Sequence, residues 1–218
     1  MDAGDSAVDS RDTSVDDTLI VVPVRDAVLL PGVVMPLGTV GEAAAAGLQE
    51  AARTEQRIVV ALQRDPAIDE QGLENLHAIG TEARLLRYMT ARDGSHHAIV
   101  QGVGRVRLLA QVEGPSYRRV KVARIIEPTA AGAEIEARFH QLRERALEAI
   151  RLIEHAPPEL GATIQAIDQP GLLADVVTSL LDLTPAEKQE ILDTASCCMD
   201  LGSRQTLPYP YCVHAMRM

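Results

Sequence analysis

The feature that most constrains the fold is a run of apolar segments broken by prolines near the amino terminus. It is the sequence LIVVPVRDAVLLPGVVMPL at residues 19–37. Proline has no backbone N–H, so Pro23 is expected to stop strand pairing after the first apolar run, and Pro31-Gly32 to turn the chain after the second. The pair Arg25-Asp26 between these runs is expected to form an ion pair that shapes the bend. The pattern predicts a buried strand, a polar break and a second extended segment laid along a β-core.

Residues 57–126 carry further short apolar runs with turn signals between them, which predicts more strands. Asp93-Gly94 predicts a hairpin between a strand at 81–89 and a return strand from Ala98. Gly102 and Gly104 in the return strand indicate a bulge or a close approach of another strand, because the third glycine and the helix of a dinucleotide site do not follow. With one alanine-rich helix at 42–53, residues 18–128 predict a small curled sheet or partly open barrel.

The second half of the chain has the spacing of helices. After a small-residue linker at 129–133, apolar residues recur every three or four positions in a predicted helix at 134–155. Asp168 is expected to be the N-cap of a helix that ends at Leu181. Thr184, followed by Pro185 and Glu187, has the pattern of a capping box for a further helix. Residues 134–194 therefore predict an α-helical subdomain.

Several short motifs resemble the amino-terminal domain of the Lon ATP-dependent proteases. They are PVRD, LPG and MPL within residues 23–37, QGVGRVRLL at 101–109, and ID, PG, LAD, EKQ and IL within residues 167–192. Leu30 stands where that family commonly has an aromatic residue. The resemblance implies an α+β fold, in which a small β-barrel-like domain of the PUA-like (pseudouridine-synthase-associated) type is followed by the helical subdomain.

Acidic charge dominates the chain, which has a formal net charge of −10 and contains 2% aromatic residues. Nucleic acids and anionic membranes attract basic faces, and single strands need aromatic stacking platforms, so neither is an expected partner. Because no apolar run reaches the roughly 20 residues that span a bilayer, and because residues 1–17 are acidic, we expect a cytoplasmic protein. Those residues carry six Asp and one Arg and are expected to form a disordered tail.

The carboxyl end, residues 195–218, departs from the family pattern. It holds all three cysteines, and Gly202, Pro208 and Pro210 are incompatible with a long helix. We expect a poorly ordered tail, which is either the product of a reading-frame change or a genuine alternative end. The cysteines match no common zinc spacing and cannot staple the preceding 196 residues, so neither a metal site nor a disulfide framework is expected.

Catalysis is not expected of this chain, although the resembled enzymes couple an ATPase module to a serine–lysine peptidase module. A phosphate-binding loop needs a Gly-Lys pair followed by Ser or Thr, and the sequence contains no Gly-Lys pair. Its two lysines, Lys121 and Lys188, fall on a strand and on a charged helix, where a salt-bridging or solvated role is expected. We therefore expect no catalytic residue and no cofactor.

The resemblance implies a non-catalytic domain that recognises unfolded or damaged proteins for an ATP-driven protease. The candidate contact residues are Pro31, Gly32, Met35 and Tyr88, although Met35 and Tyr88 also suit a core. One alternative is that the chain is a truncated part of a full ATP-dependent serine endopeptidase, whose subunits would be its partners. Another is a stand-alone RNA-binding PUA-like protein, which the net charge disfavours.

Overall fold

The computed structural model describes residues 17–38, 41–68, 72–90, 96–112, 116–126, 132–152 and 158–200. These residues form six strands and five α-helices, with a short 3-10 helix at Leu73–Asn75. In chain order the elements are β1 (Asp17–Val24), β2 (Val34–Gly38), α1 (Glu42–Thr54), β3 (Ile58–Leu62), β4 (Ile79–Thr90), β5 (His96–Val112), β6 (Arg119–Arg124), α2 (Ala133–Leu152), α3 (Pro158–Ala166), α4 (Pro170–Leu180) and α5 (Pro185–Asp200). The predicted Asp93-Gly94 turn, residues 1–16 of the tail expected at 1–17, and residues 201–218 of the tail expected at 195–218 lie outside the described residues. The expected bounds of both tails differ from the structure, since Asp17 belongs to β1 and α5 continues through residues 195–200.

Five of the strands close into a barrel. The sheet order is β2-β5-β4-β3-β1-β6, and β6 also pairs with β5, which completes the ring. The long strand β5 makes this closure possible, because its first part lies between β2 and β4, its middle pairs with β4, and its last part pairs with β6. The α+β fold with a barrel-like β part is thereby confirmed.

Pro23 does not end β1, and this expectation was wrong. It lies opposite Ala61 in the parallel pairing with β3, and the strand continues to Val24. The carbonyl of Val24 accepts a hydrogen bond of 2.9 Å from the amide of Gln63, so the backbone of Val24 faces β3. Because backbone groups of successive strand residues alternate in direction, the backbone of Pro23 faces away from β3. On that side β6 pairs with β1 only as far as Ile20, so the missing N–H of Pro23 removes no ladder hydrogen bond.

Two apolar clusters lie on opposite sides of the barrel wall. The barrel core is the interior cluster, formed by Val21, Val59, Ala61, Leu76, Val106, Leu108, Val120 and Val122. The helix-side core lies outside the wall beneath α1, where Leu48 and Ala51 of that helix pack on strand residues such as Ile58. Strand β3 is buried along its whole length because it contributes to both clusters, as its continuous apolar sequence predicts.

The helical part has its own core and is fixed to the outside of the barrel by buried polar groups. The guanidinium of Arg105 in β5 donates two hydrogen bonds, of 2.9 and 2.7 Å, to the carboxylate of Asp175 in α4. Both side chains are 2% exposed. In α5 the side-chain amide of Gln189 donates to the carbonyl of Ile79 in β4 at 3.0 Å, and buried Leu192 packs near Leu30. Barrel and helices therefore share one interface.

Two glycines permit the close approach of chain segments at this interface. Gly32 has φ +75°, and a Cβ there would lie 2.3 Å from Cδ1 of Leu172 in α4. A Cβ on Gly102 would lie 2.3 Å from the carbonyl oxygen of Leu30. Between Gly102 and Gly104, Val103 is an extra residue opposite β4, which forms a bulge. The predicted bulge in this part of β5 is confirmed, whereas the segment that approaches Gly102 is the turn at Leu30-Pro31 rather than another strand.

The ends of the helices agree with the sequence in one case and differ in another. Thr184 and Glu187 form the predicted capping box, in which the amide of Thr184 donates to the Glu187 carboxylate at 2.8 Å. The N-cap of α4 is Gln169 rather than Asp168. The reason is Pro170, which opens the helix and forces the residue before it into an extended conformation.

Candidate protein-binding surface

Beyond the barrel, β2, β5 and β4 form a three-stranded sheet with one covered and one open side. Residues paired directly opposite each other project from the same side of a sheet. On the covered side Met35 lies opposite Val100, and Tyr88 opposite Ala98, and all four pack in or against the helix-side core. The intervening residues therefore project from the other side.

The open side presents a group of apolar side chains that we call the exposed face. It consists of Val34, Pro36, Leu86, Met89 and Ile99. Val34 is 51% exposed, Leu86 49% and Met89 44%. Leu86 owes its position to a second bulge, which inserts it between Leu85 and Arg87 of β4. Clustered apolar side chains of this kind on a solvent-facing sheet mark interaction sites more often than isolated ones do.

Two arginines of β4 lie beside the exposed face. Arg84 is paired with Gln101, which is itself paired with Val34, and Arg87 is paired with Ile99, which is itself paired with Pro36. Both arginines are exposed. Each arginine is thus aligned, across β5, with an apolar residue of the exposed face on β2: Arg84 with Val34, and Arg87 with Pro36.

Where the exposed face meets the barrel, a buried carboxylate is held by two arginines. Glu82 accepts hydrogen bonds from Nε and Nη2 of Arg124 at 2.8 and 3.0 Å, and from Nη1 of Arg57 at 3.0 Å. Burial alone would raise the pKa of Glu82, but the hydrogen bonds from Arg124 and Arg57 outweigh it and hold this pKa below its ordinary value. Glu82 is paired with Val59 of the barrel core, so its side chain projects from the interior side of the wall.

The open edge of β2 is poorly suited to pairing with another strand. The amide of Gly102 donates to the carbonyl of Val33 at 2.9 Å, so alternate residues from Val33 onward direct their backbone groups toward β5. The backbone of Pro36 therefore faces the open edge, and this position has no N–H to donate. Contact with a partner is better served by the side chains of the exposed face than by this edge.

The four predicted contact residues fall into two groups. Met35 and Tyr88 are half-buried on the covered side of the sheet, where the Tyr88 hydroxyl is 2.8 Å from Nδ1 of His96. Pro31 is buried, and Gly32 lies against Leu172 of α4, so this pair belongs to the interface between barrel and helices. The structure does not bring the two groups together on one surface.

Sequence reasoning did not single out the exposed face. A signal was present, because Val34 and Met89 immediately adjoin the chosen Met35 and Tyr88, and strand neighbours point to opposite sides. Choosing between the sides required the pairing register with β5 and the bulge at Leu86, neither of which is visible in the sequence.

Two other kinds of site were sought in the described part of the chain. No group of three or more His, Cys, Asp or Glu side chains there could hold a metal ion. None of its helices combines the length and apolar character needed to cross a membrane.

Comparison with known proteins agrees with this architecture. The family model of the substrate-binding domain of ATP-dependent protease La (Lon) matches residues 18–198. The Lon protease of Paraburkholderia phytofirmans is 44% identical over 187 residues, which is 85% of this chain and 23% of that protein. The Lon protease of Phenylobacterium zucineum is 43% identical over 202 residues, or 92% of this chain and 25% of that protein. The chain thus spans about a quarter of the length of these relatives.

Solved structures show the same fold. The amino-terminal domain of the Mycobacterium avium complex Lon protease has a TM-score of 0.67 at 24% identity, and the match covers 85% of this chain and 95% of that one. A Lon amino-terminal domain protein from Xanthomonas campestris has a TM-score of 0.57 at 19% identity, with 86% and 99% covered. The barrel, the docked helices and the match over residues 18–198 together show that the chain belongs to the family of Lon substrate-binding domains.

Proposed function

We propose that the exposed face holds apolar segments of unfolded or damaged proteins and thereby selects substrates for an ATP-dependent protease, without catalysing a reaction itself. The observation that carries the proposal is the cluster of Val34, Leu86 and Met89, each about half exposed on one side of a three-stranded sheet. A folded protein gains nothing in stability by leaving such side chains in water, whereas a partner that covers them gains their burial. The flexible thioether of Met89 suits contact with many different sequences.

The predicted contact residues take supporting positions in this proposal. Met35 and Tyr88 fill the covered side of the strands whose other side forms the exposed face. Pro31 and Gly32 anchor the chain under α4 immediately before β2 begins. Subunits of a full-length Lon-type protease and a cytoplasmic location belong to the same proposal, which the matched family model and the Lon relatives support.

The test compares charged substitutions on and off the exposed face. Leu86→Asp and Met89→Asp are made separately, and Leu109→Asp is the matched control, since Leu109 is a 50% exposed leucine on the far part of β5. Binding to a reduced and alkylated, permanently unfolded protein is measured by fluorescence anisotropy. Because burial of a Leu or Met side chain is worth about 1.5–3 kcal/mol, each face variant is expected to weaken binding about tenfold or more.

The control should bind as tightly as the unchanged chain, and all variants should keep the same thermal midpoint. Equal loss of binding in Leu109→Asp, or wild-type binding in both face variants, would place the contact elsewhere and refute the proposal. Binding of a single-stranded RNA at low salt would instead favour the RNA-binding alternative. We expect none, because no residue of the exposed face is aromatic.

We further infer that this domain serves as the recognition part of a longer ATP-dependent serine endopeptidase, as the coverage of the Lon relatives supports. Sequencing the encoding DNA from the Thr184 codon onward, and translating all three frames, tests this. A frame that continues into a Gly-Lys phosphate loop and a peptidase module is the expected result. Clean reads that stop in every frame soon after Met218 would count against it.

A further inference from the structure

The strands that carry the exposed face are far more basic than the chain as a whole. Strands β2, β4 and β5 contain the arginines Arg84, Arg87, Arg105 and Arg107 and a single acidic residue, Glu82. The complete chain, by contrast, has a net charge of −10. Positive charge is therefore concentrated on the strands that also carry the apolar cluster.

Arg84 and Arg87 differ in their surroundings from the other arginines of these strands. Arg105 is buried against Asp175, where it fixes the helices to the barrel. Arg84 and Arg87 are exposed, and neither makes an ion pair or a side-chain hydrogen bond with another residue in the described ranges. Their guanidinium groups are available to a ligand that rests on the face.

The pairing places both arginines on β4, at one end of rows that cross β5 to Val34 and Pro36 on β2. Neighbouring strands lie about 4.8 Å apart, so Arg84 and Val34 are about 10 Å apart across β5, as are Arg87 and Pro36. An extended segment whose apolar side chains cover Val34, Leu86 and Ile99 would bring residues next to its apolar part within reach of the guanidiniums on β4. At the barrel end of the face, Arg57 and Arg124 both pair with the carboxylate of Glu82.

We propose that the exposed face prefers apolar segments flanked by Asp or Glu over the same segments flanked by uncharged or basic residues. This inference rests on the proposed function and names the class of segment that the face selects. Guanidinium and carboxylate groups form paired, charge-assisted hydrogen bonds, which favour acidic flanks. Basic flanks meet like charge, so discrimination arises from repulsion as well as from attraction.

The acidic leader of the chain itself is a less suitable occupant. Residues 1–16 contain five Asp and would match the arginines in charge. Their apolar residues, however, are scattered as Met1, Ala3, Ala7, Val8 and Val15, with no run that could cover the strip. A separate segment with a continuous apolar centre satisfies both the charge and the apolar side chains.

The test uses three dye-labelled peptides that share one apolar core and carry Asp, Ser or Lys flanks. Their affinities are measured by anisotropy at low salt for the full chain, for the double variant Arg84→Gln, Arg87→Gln, and for a control with Arg145→Gln, Arg151→Gln on exposed positions of α2. We expect the Asp-flanked peptide to bind about five- to tenfold more tightly than the Ser-flanked one, since exposed ion pairs contribute modestly. The preference should vanish in the face variant, persist in the control, and shrink at about 0.5 M salt while core binding remains.

Each other outcome has a defined meaning. Equal affinity for all three peptides overturns the charge preference but leaves the proposed function standing, whereas failure of every peptide to bind overturns both. A preference that survives in the face variant assigns it to other residues and overturns the inference. The inference is also overturned if the preference disappears when residues 2–16 are deleted. It is likewise overturned if a single-stranded oligonucleotide displaces the Asp-flanked peptide as effectively as unlabelled peptide does.

Discussion

At the scale of residues, the pairing of Arg105 with Asp175 is the contact on which the relation of barrel and helices depends most. Its two charges are buried together, and Nε of Arg105 also donates to the carbonyl of Leu192 at 3.3 Å. Removing charges from water is costly, so the pair is tolerated because both hydrogen bonds of the fork are made. Loss of one partner would remove the opposite charge that compensates the other inside the interface.

Asp175→Asn should therefore lower the free energy of unfolding by about 3 kcal/mol. Urea denaturation followed by circular dichroism measures this, with the exposed Asp168→Asn as the control, expected within about 0.5 kcal/mol of the unchanged chain. The double variant Arg105→Met, Asp175→Leu replaces the pair by apolar groups and should recover much of the loss. If the double variant is less stable than Asp175→Asn, the unpaired charge is not the source of the cost.

At the scale of elements, α5 illustrates how a local motif sets the start of a helix that then docks. The hydroxyl and amide of Thr184 both donate to Glu187, and the amide of Glu187 donates back to the hydroxyl of Thr184 at 3.3 Å. We expect Thr184→Ala to destabilise the protein by about 1 kcal/mol, because it removes the cap. Thr184→Ser keeps the hydroxyl and should remain near wild-type in the same denaturation experiment; equal losses in both variants would exclude capping as the cause.

The buried group of Glu82, Arg124 and Arg57 makes the stability of the fold dependent on pH. Since Arg124 and Arg57 hold the pKa of Glu82 below its ordinary value, its carboxylate stabilises the fold above the unfolded-state pKa, which is about 4.3. This contribution is lost as the pH falls through the lower folded-state pKa. Between about pH 6 and pH 3, the free energy of unfolding should therefore fall less steeply in Glu82→Gln than in the unchanged chain. The exposed Glu144→Gln is the control, and a profile for Glu82→Gln as steep as that of the control would contradict the assignment.

Many of the helices and strands could be predicted from the sequence, because they are determined by residues close together in the chain. The strand at 57–63, the helix in 42–53 and the capping box at Thr184 depend on neighbouring residues, and the structure confirms each of them. The prediction for Pro23 was wrong because a missing N–H costs a hydrogen bond only where a paired strand lies on the side that the N–H would face. Which strand lies there is set by the order of strands in the sheet. The exposed face was missed for the same reason, since a one-residue difference in register exchanges Met35 for Val34.

At the scale of the whole molecule, the shared interface predicts that barrel and helices unfold together. Leu192 of α5 is 2% exposed and packs with Leu30 and Ile79 of the barrel part. Leu192→Ala should cost about 2–5 kcal/mol, and should shift the helical circular-dichroism signal and the amide-exchange protection of β3 to the same lower denaturant concentration. The control Leu152→Ala, at an 81% exposed site, should shift neither. Helical loss without loss of β3 protection would show that the two parts unfold independently.

The sequence motifs were sufficient to indicate this two-part organisation, but not the way in which the parts are joined. Arg105 and Asp175 are 70 positions apart, and nothing near either residue in the sequence identifies its partner. The same is true of Gln189, whose acceptor is the backbone of Ile79. Contacts of this kind depend on the barrel fold, which places β4 and β5 beside the helices.

The proline on the outer edge of β2 has a consequence for how the domain could work among unfolding chains. Such chains are rich in segments that grow ordered fibrils by adding strand after strand to any free edge. Pro36 interrupts the row of donors along the edge that adjoins the apolar strip, so an unfolded chain can rest on the side chains without extending the sheet. Under the proposed function, the domain would therefore hold aggregation-prone segments without offering them an edge on which a fibril could grow.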